Sequence, residues 1–415
     1  MMNEILKSDR LNSLNYAIRG PIYDKAQQME ASGQKIINLN IGNPASFGFD
    51  VPDEIIEDMI LNIRNAQGYS HSLGIFSARK AVMHYTQQIG IQGVTIEDIF
   101  IGNGVSELIV MSMQALLNEG DEILVPSPDY PLWTTAIALS GGKAVHYNCD
   151  EESDWNPDVK DLASKITSKT KGIVIINPNN PTGAVYEKAV LEQIIKIAEE
   201  KKLIIFSDEI YDKILFDGHK HIPIATLSND VFVMTYGGLS KNYRAAGFRG
   251  GWVIMSGAKH RAKSYVEGLT LLASMRLCAN VPTQYAIQTA LGGYQSINDL
   301  VLPTGRIYQQ TMLTYERLLE IPGISCVKPK GALYVFPKID LKKFTFKDDE
   351  TFVYNLLVEQ KVLVVSGTGF NYITPDHFRI VCLPTVQELD IAMNRIHSMF
   401  ENSRRPIKIA EKVFS

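Results

Sequence analysis

Three polar loops follow apolar runs, the places where α/β sheets collect their ligands. Asn177-Pro178-Asn179-Asn180-Pro181-Thr182-Gly183 comes directly after Gly172–Ile176, and its prolines and glycine hold Asn180 in a rigid turn. Ser207-Asp208-Glu209-Ile210-Tyr211 follows Leu203–Phe206. A carboxylate at the end of a buried strand is costly unless a cation or strong donor meets it, although Asp is also a common helix cap. Gly237-Gly238-Leu239-Ser240-Lys241 follows Val231–Tyr236, with Arg244 and Arg249 beyond. A lysine after a strand is ordinarily solvated, but glycines and apolar strands around Lys241 favour a working amine. Gly102-Asn103-Gly104-Val105-Ser106-Glu107 starts like a dinucleotide fingerprint, yet Glu107 stands where the third glycine belongs. The segment Gly237–Asn242 lacks the order of a nucleotide P-loop. The step from Gly104 into a helix still suits an anion, because free N–H groups and the helix dipole face it.

The elements that must position these loops are legible as alternation. Ile99–Gly102, Glu122–Pro126, Lys143–Asn148, Gly172–Pro178, Leu203–Ser207, Val231–Tyr236 and Trp252–Met255 read as strands. Helix-period segments fall at Ser106–Asn118, Leu132–Leu139, Pro157–Ile166 and Glu187–Lys201. Ile173-Val174-Ile175-Ile176 is apolar on both faces, as in a sheet covered on each side. The fold class expected is α/β, a mainly parallel doubly wound sheet with a smaller α+β domain. After about Leu300 the pattern changes to a long helix (Arg306–Glu320), paired strands Ile324–Lys328 and Ala332–Phe336, a helix (Asp349–Gln360), strands Val362–Val365 and Phe378–Cys382, and a last helix (Val386–Glu401). A helix opened by Pro21 and the strand Ile36–Asn40 come first and are expected to pack against this C-terminal layer. The expected division is 1–46 as an arm belonging partly to the small domain, 47–299 as the large domain and 300–415 as the small one.

Of the 415 residues, 45% are hydrophobic and 21% charged, and 41 Lys plus Arg against 45 Asp plus Glu leave a net charge of −4. That balance argues against a nucleic-acid or membrane surface and for small molecules and copies of the chain itself as partners. Cys149, Cys278, Cys326 and Cys382 are widely spaced and expected as reduced thiols. Met1 to Arg10 lacks the apolar stretch of a secretion signal, so the cytoplasm is the expected compartment.

Taken in order, Asn180-Pro181-Thr182-Gly183, Asp208-x-x-Tyr211, Ser240-Lys241, Arg249 and Arg379 resemble the fold-type I pyridoxal-phosphate aminotransferases, and the likeness runs from about Arg19 to Phe400. Leu39-Asn40-Ile41-Gly42-Asn43-Pro44, Ser274–Pro282 and Arg19-Gly20-Pro21 are similar, more narrowly, to the glutamate–pyruvate (alanine) branch. The resemblance implies that Lys241 bonds the cofactor aldehyde and later carries a proton from the substrate Cα. It implies that Asp208 keeps the ring nitrogen protonated, and that Tyr211 and Asn180 bond the ring oxygen. Arg249, Ser240 and the backbone of Gly104, Val105 and Ser106 would hold the phosphate. Tyr130 would stack on the ring, or else be an ordinary core aromatic. Arg379, a sheet-edge residue by its position alone, would clamp the α-carboxylate bidentately beside the Gly42 backbone. Tyr69 would reach the phosphate of a neighbouring subunit, making the working unit a homodimer. Where relatives often carry a hydroxyl three places before the lysine, this chain has Gly238. The distal carboxylate of glutamate needs a second cation, for which Arg19 is favoured over Arg276. The activity implied is exchange of an amino group between L-alanine and 2-oxoglutarate. A broader aminotransferase or a β-eliminating C–S lyase is the nearest alternative, and a ligand-sensing module on the same fold is a more distant one. No metal is expected.

Overall fold

Strand Thr170–Ile176 sends Ile173 and Ile175 into one buried cluster and Val174 and Ile176 into another. Both faces of the sheet are therefore dry, which is why the run reads as continuously apolar. The structure, a computed structural model, describes residues 5–11, 14, 18 and 20–405.

The large sheet contains β1 (Ile99–Asn103), β2 (Glu122–Ser127), β3 (Lys143–Asp150), β4 (Asn156–Pro157), β5 (Thr170–Ile176), β6 (Ile204–Asp208), β7 (Val233–Gly238) and β8 (Gly250–Ser256). Their spatial order is β1-β8-β7-β6-β5-β2-β3-β4. β3, β2, β5, β6 and β7 pair in parallel, while β8 runs antiparallel between β7 and β1. The sheet is thus mainly parallel, as expected, and the carboxyl ends of β5, β6 and β7 lie side by side. Each ends in one of the polar loops. Helices Val105–Leu116, Leu132–Leu139 and Lys188–Lys201 connect the strands. The sequence reading passed over helices Asp53–Asn62, Phe76–Gln88, Lys263–Met275 and Val281–Gly292.

A second core gathers Leu39, Leu318, Ile339, Phe352, Phe378, Ile396 and Phe400 from both ends of the chain. Ile37–Asn38 pairs in parallel with Val362–Leu363, as the expected packing of the first strand on the C-terminal layer requires. One expected pairing does not form. Ile324–Ser325 pairs with Lys338–Ile339, whereas Tyr334–Val335 pairs with Phe378–Val381. Ala332, at φ 59, and an antiparallel bridge from Gly331 to Leu215 turn the chain away before a hairpin can close.

A charge cluster around buried His377 fastens β3's end to this C-terminal layer. Glu151 accepts from Lys338 Nζ at 2.8 Å and lies 3.5 Å from His377 Nε2, while His377 Nδ1 lies 2.6 Å from Asp376. Burial opposes charge on His377, but Asp376 and Glu151 outweigh it and raise the imidazole above 6.5. Burial likewise opposes the Glu151 carboxylate, and bonds from His377 and Lys338 outweigh it, lowering the group below 4.5. The His377 contribution to stability is present below pH 6.5 and is lost as pH rises through its raised folded value. The Glu151 contribution is present above pH 4.5 and is lost as pH falls through its lowered one. The Tm advantage of the native chain over a His377→Gln variant should therefore be widest between those pH values and shrink above them. A flat difference from pH 5 to 9 would contradict the assignment.

Candidate active site

The polar loops open into one cavity of ≈ 630 Å³. Asn180, Asp208, Tyr211, Ser240, Lys241 and Arg249 line it, together with Val105, Ser106, Tyr130, Gly42 and Arg379. Residues separated by hundreds of positions thus meet because β5, β6 and β7 end together and the first and last strands fold over them.

Asp208 lies at the floor, buried at the end of β6. Its Oδ2 accepts from Trp133 Nε1 at 3.2 Å. Burial pushes the carboxyl up to about 6; the bonds from Trp133 and the Ile210 N–H pull it back, Glu209 pushes it further and Lys241 lowers it. A site with this floor favours a bound cation, whose charge would restore the ionised form. Lys241 Nζ donates to the Gly42 carbonyl at 2.6 Å and sits 6.0 Å from the Tyr211 ring centroid. It lines the same cavity as Asp208, whose carboxylate feels its charge.

At one end, Arg249 donates to Ser106 Oγ at 3.0 Å and to the Asn103 carbonyl at 3.2 Å. It stands over the uncapped start of helix Val105–Leu116, where Gly104 has φ +81. A side chain on Gly104 would come within 2.5 Å of Arg249 Nη2, so only glycine leaves this cradle open. Free helix N–H groups, a guanidinium and two serines suit a phosphate. At the other end, Arg379 donates to Asn180 Oδ1 at 2.9 Å and to the Asn40 carbonyl, with its Cζ 4.5 Å from the ring centroids of Tyr334 and Phe370. These acceptors are neutral oxygens that a carboxylate can displace. A phosphate cradle, a carboxylate floor, an amine and an aromatic flank together fit a phosphorylated pyridine aldehyde.

Gly238 accounts for the missing hydroxyl. A Cβ there would lie 2.9 Å from the Gly250 carbonyl, because β7 and β8 approach closely at their glycine pairs. Gly238→Ser should lower stability by about 1–3 kcal/mol and weaken phosphate retention rather than improve it. Tighter cofactor binding by that variant in equilibrium dialysis would contradict the packing argument.

Some expected residues stand elsewhere. Tyr69 is 82% exposed and does not line the cavity. Arg276 is held by Glu107 at 2.9 Å and by the Ser72 and Ile101 carbonyls, outside the cavity. Arg19 lies outside the described residues, although its neighbour Ile18 lines the cavity. Trp133, Tyr334 and Asn40 were missed by sequence reasoning. The one available signal was the position of Tyr334 and Arg379 on strands expected in the same small layer.

The fold and this constellation together define a class of amine-handling α/β transferases. A family model, aminotransferase class I and II, matches residues 34–396. The glutamate-pyruvate aminotransferase AlaA of Haemophilus influenzae is 59% identical over 399 residues, 96% of this chain and 99% of that protein. An alanine aminotransferase of Mycobacterium tuberculosis is 52% identical over 400 residues, 96% and 93% of the two chains. The crystal structure of an aminotransferase from Escherichia coli superposes with a TM-score of 0.95 at 57% identity, covering 97% of this chain and all of that one. The chain belongs to the aminotransferase class I and II family, and is an enzyme.

Proposed function

We propose that the enzyme transfers an amino group between L-alanine and 2-oxoglutarate, giving pyruvate and L-glutamate, with pyridoxal 5′-phosphate as cofactor. The observation that carries this reading is the convergence of Lys241, Asp208 and Arg379 on one cavity, in a chain so similar to named glutamate–pyruvate and alanine aminotransferases. When bound, the cofactor supplies an aldehyde for amines and a ring that accepts electrons from the substrate Cα.

The chain's residues do the rest. Arg379 binds the α-carboxylate with two parallel N–H bonds, displacing Asn180 Oδ1 and the Asn40 carbonyl, and the Gly42 backbone closes that side. Lys241 would hold the cofactor through its side-chain amine, and that amine would serve as the base that takes the proton from the substrate Cα and returns it on the cofactor side. Asp208 would hold the proton on the ring nitrogen, with its carboxylate aimed by the bond from Trp133. Tyr211 and Asn180 would bond the ring oxygen, Tyr130 would cover the ring, and Arg249, Ser240 and the Gly104–Ser106 backbone would hold the phosphate. We divide the chain into an arm (residues 1–46), a cofactor-binding domain (47–299) and a small domain (300–415).

The substrates are amino acids and 2-oxo acids. Among the described residues no helix is long and apolar enough to cross a membrane, and no cluster suits a metal ion. Our proposed compartment is the cytoplasm. The working unit we propose is a homodimer. Ser72 meets Ser274 and Arg276, which sets the Tyr69 segment beside Met275, itself 71% exposed. An exposed apolar face of this kind is suited to a second copy. Sedimentation at micromolar concentration should return twice the chain mass.

Alanine alone should convert the yellow enzyme once and release one equivalent of pyruvate; adding 2-oxoglutarate should restore the colour. Continuous ammonia release from cystine or cystathionine would instead identify a lyase. For the distal carboxylate we propose Arg19, next to cavity-lining Ile18. Arg19→Ala should cut glutamate turnover at least about tenfold more than alanine turnover, and equal losses would exclude it.

A further inference from the structure

Tyr334 is a buried side chain that touches both ends of the machinery just described. Its hydroxyl lies 2.6 Å from the Tyr211 hydroxyl, and its ring lies 4.5 Å beneath the Arg379 guanidinium. The same hydroxyl stands against Gly42, where an added Cβ would be 2.6 Å from it. Phe370 flanks Arg379 at an equal 4.5 Å, so the guanidinium is held between two rings. Tyr334 is 2% exposed, and its strand is fixed by pairing Tyr334 with Val381 beside the Arg379 strand.

A pair of hydroxyls needs one donor and one acceptor. If Tyr211 gives its proton to the cofactor's ring oxygen, its own oxygen is left to accept, and the only orientation then open to the pair is Tyr334 donating to Tyr211. We propose that Tyr334 is a positioning residue with two separable tasks: its hydroxyl strengthens the Tyr211 hydrogen bond to the cofactor, and its ring holds Arg379 ready for the substrate carboxylate. The inference rests on the functional reading above. It adds a second physical link beside Asn180, because Tyr334 also ties the proton affinity of the cofactor–lysine unit to the substrate's carboxylate site. Hydrogen bonds in series polarise one another, so a donor behind Tyr211 makes Tyr211 the better donor in front. A cation over an aromatic face is held by the ring's negative quadrupole, which survives loss of the hydroxyl.

Two substitutions separate the tasks in the cofactor-loaded enzyme. Tyr334→Phe keeps the ring and removes the hydroxyl, whereas Tyr334→Leu removes both. The first readout is the pH midpoint of the visible absorbance change, which rises when donation to the ring oxygen weakens. The second is the dissociation constant of propionate, a carboxylate that has no amine to react. Tyr334→Phe should raise the midpoint by about half a pH unit and leave propionate affinity within about twofold. Tyr334→Leu should raise the midpoint similarly and weaken propionate about tenfold. An unchanged midpoint in Tyr334→Phe overturns the hydroxyl task, and unchanged propionate binding in Tyr334→Leu overturns the ring task.

Tyr211→Phe is the control for the underlying reading. It should raise the midpoint more than either Tyr334 variant. If Tyr211→Phe leaves the midpoint unmoved, Tyr211 does not face the chromophore and the functional reading fails. If it moves the midpoint while the Tyr334 variants do not, only the present inference fails. Circular dichroism of each variant, matching the native spectrum, separates these outcomes from misfolding.

Discussion

Replacing Lys241 with alanine should lower the overall exchange of amino groups at least about 10⁴-fold, the loss expected when one side chain serves as both nucleophile and proton carrier. The reason is positional. Lys241 Nζ reaches the Gly42 carbonyl at 2.6 Å inside the cavity that Asp208 and Arg379 also line. Among the residues that line the cavity there is no other lysine to substitute for it. Two measurements check this. Single-turnover conversion of alanine reports the proton transfer, and borohydride reduction followed by peptide mass mapping reports the attachment point. Activity within tenfold of native, or cofactor fixed at another lysine, would remove the central claim about position 241.

Asp208→Asn should cost about 10²–10⁴-fold in kcat while leaving KM for alanine nearly unchanged. The substitution keeps the size of the side chain and can still bond Trp133, so the fold should persist. What it removes is the charge that, on the proposed reading, would hold a proton on the ring nitrogen. The same carboxylate imposes a pH dependence. Burial raises its pKa to about 6, and the ionised form is the one that pairs with a cation. Cofactor affinity should therefore weaken as pH falls through about 6, and this dependence should vanish in Asp208→Asn. Fluorescence titration of cofactor into the resolved enzyme at several pH values decides the matter. A native profile flat from pH 5 to 8 would show that the floor carboxylate plays no such part.

The contrast between what could and could not be read from the chain follows from locality. Lys241 and Asn180 each sit in a short loop just beyond an apolar strand and Asp208 ends one, so type and setting appear in one stretch of sequence. Parallel pairing then had only to bring adjacent strand ends together, which a doubly wound sheet does by construction. Trp133 was hidden because it sits on a helix whose apolar residues look alike, and only the packed structure aims its indole N–H at Asp208. Tyr334 was hidden for a related reason. Its strand looked like half of a hairpin with Ile324–Lys328, but the true partner, Val381, lies far along the chain. Long-range antiparallel pairing leaves no local mark, whereas the turn at Gly331-Ala332 depends on a bridge to Leu215 that no spacing announces. Gly238 could be seen as a departure but not explained until β8 was found lying against it.

Leu39 donates its N–H to the Leu363 carbonyl at 2.8 Å and accepts from Val381 N–H at 3.0 Å, so the first strand is stitched between two of the last. Asn40 and Gly42, which follow directly, supply the carbonyls that Arg379 and Lys241 meet. During synthesis the large sheet can be completed while this N-terminal strand still waits for partners not yet made. A ribosome that stops early would release a chain with a formed sheet, an open strand edge and half a carboxylate pocket. Competence for catalysis thus reports that both ends of the polypeptide were made and met, a proofreading of completeness built into the order of the strands.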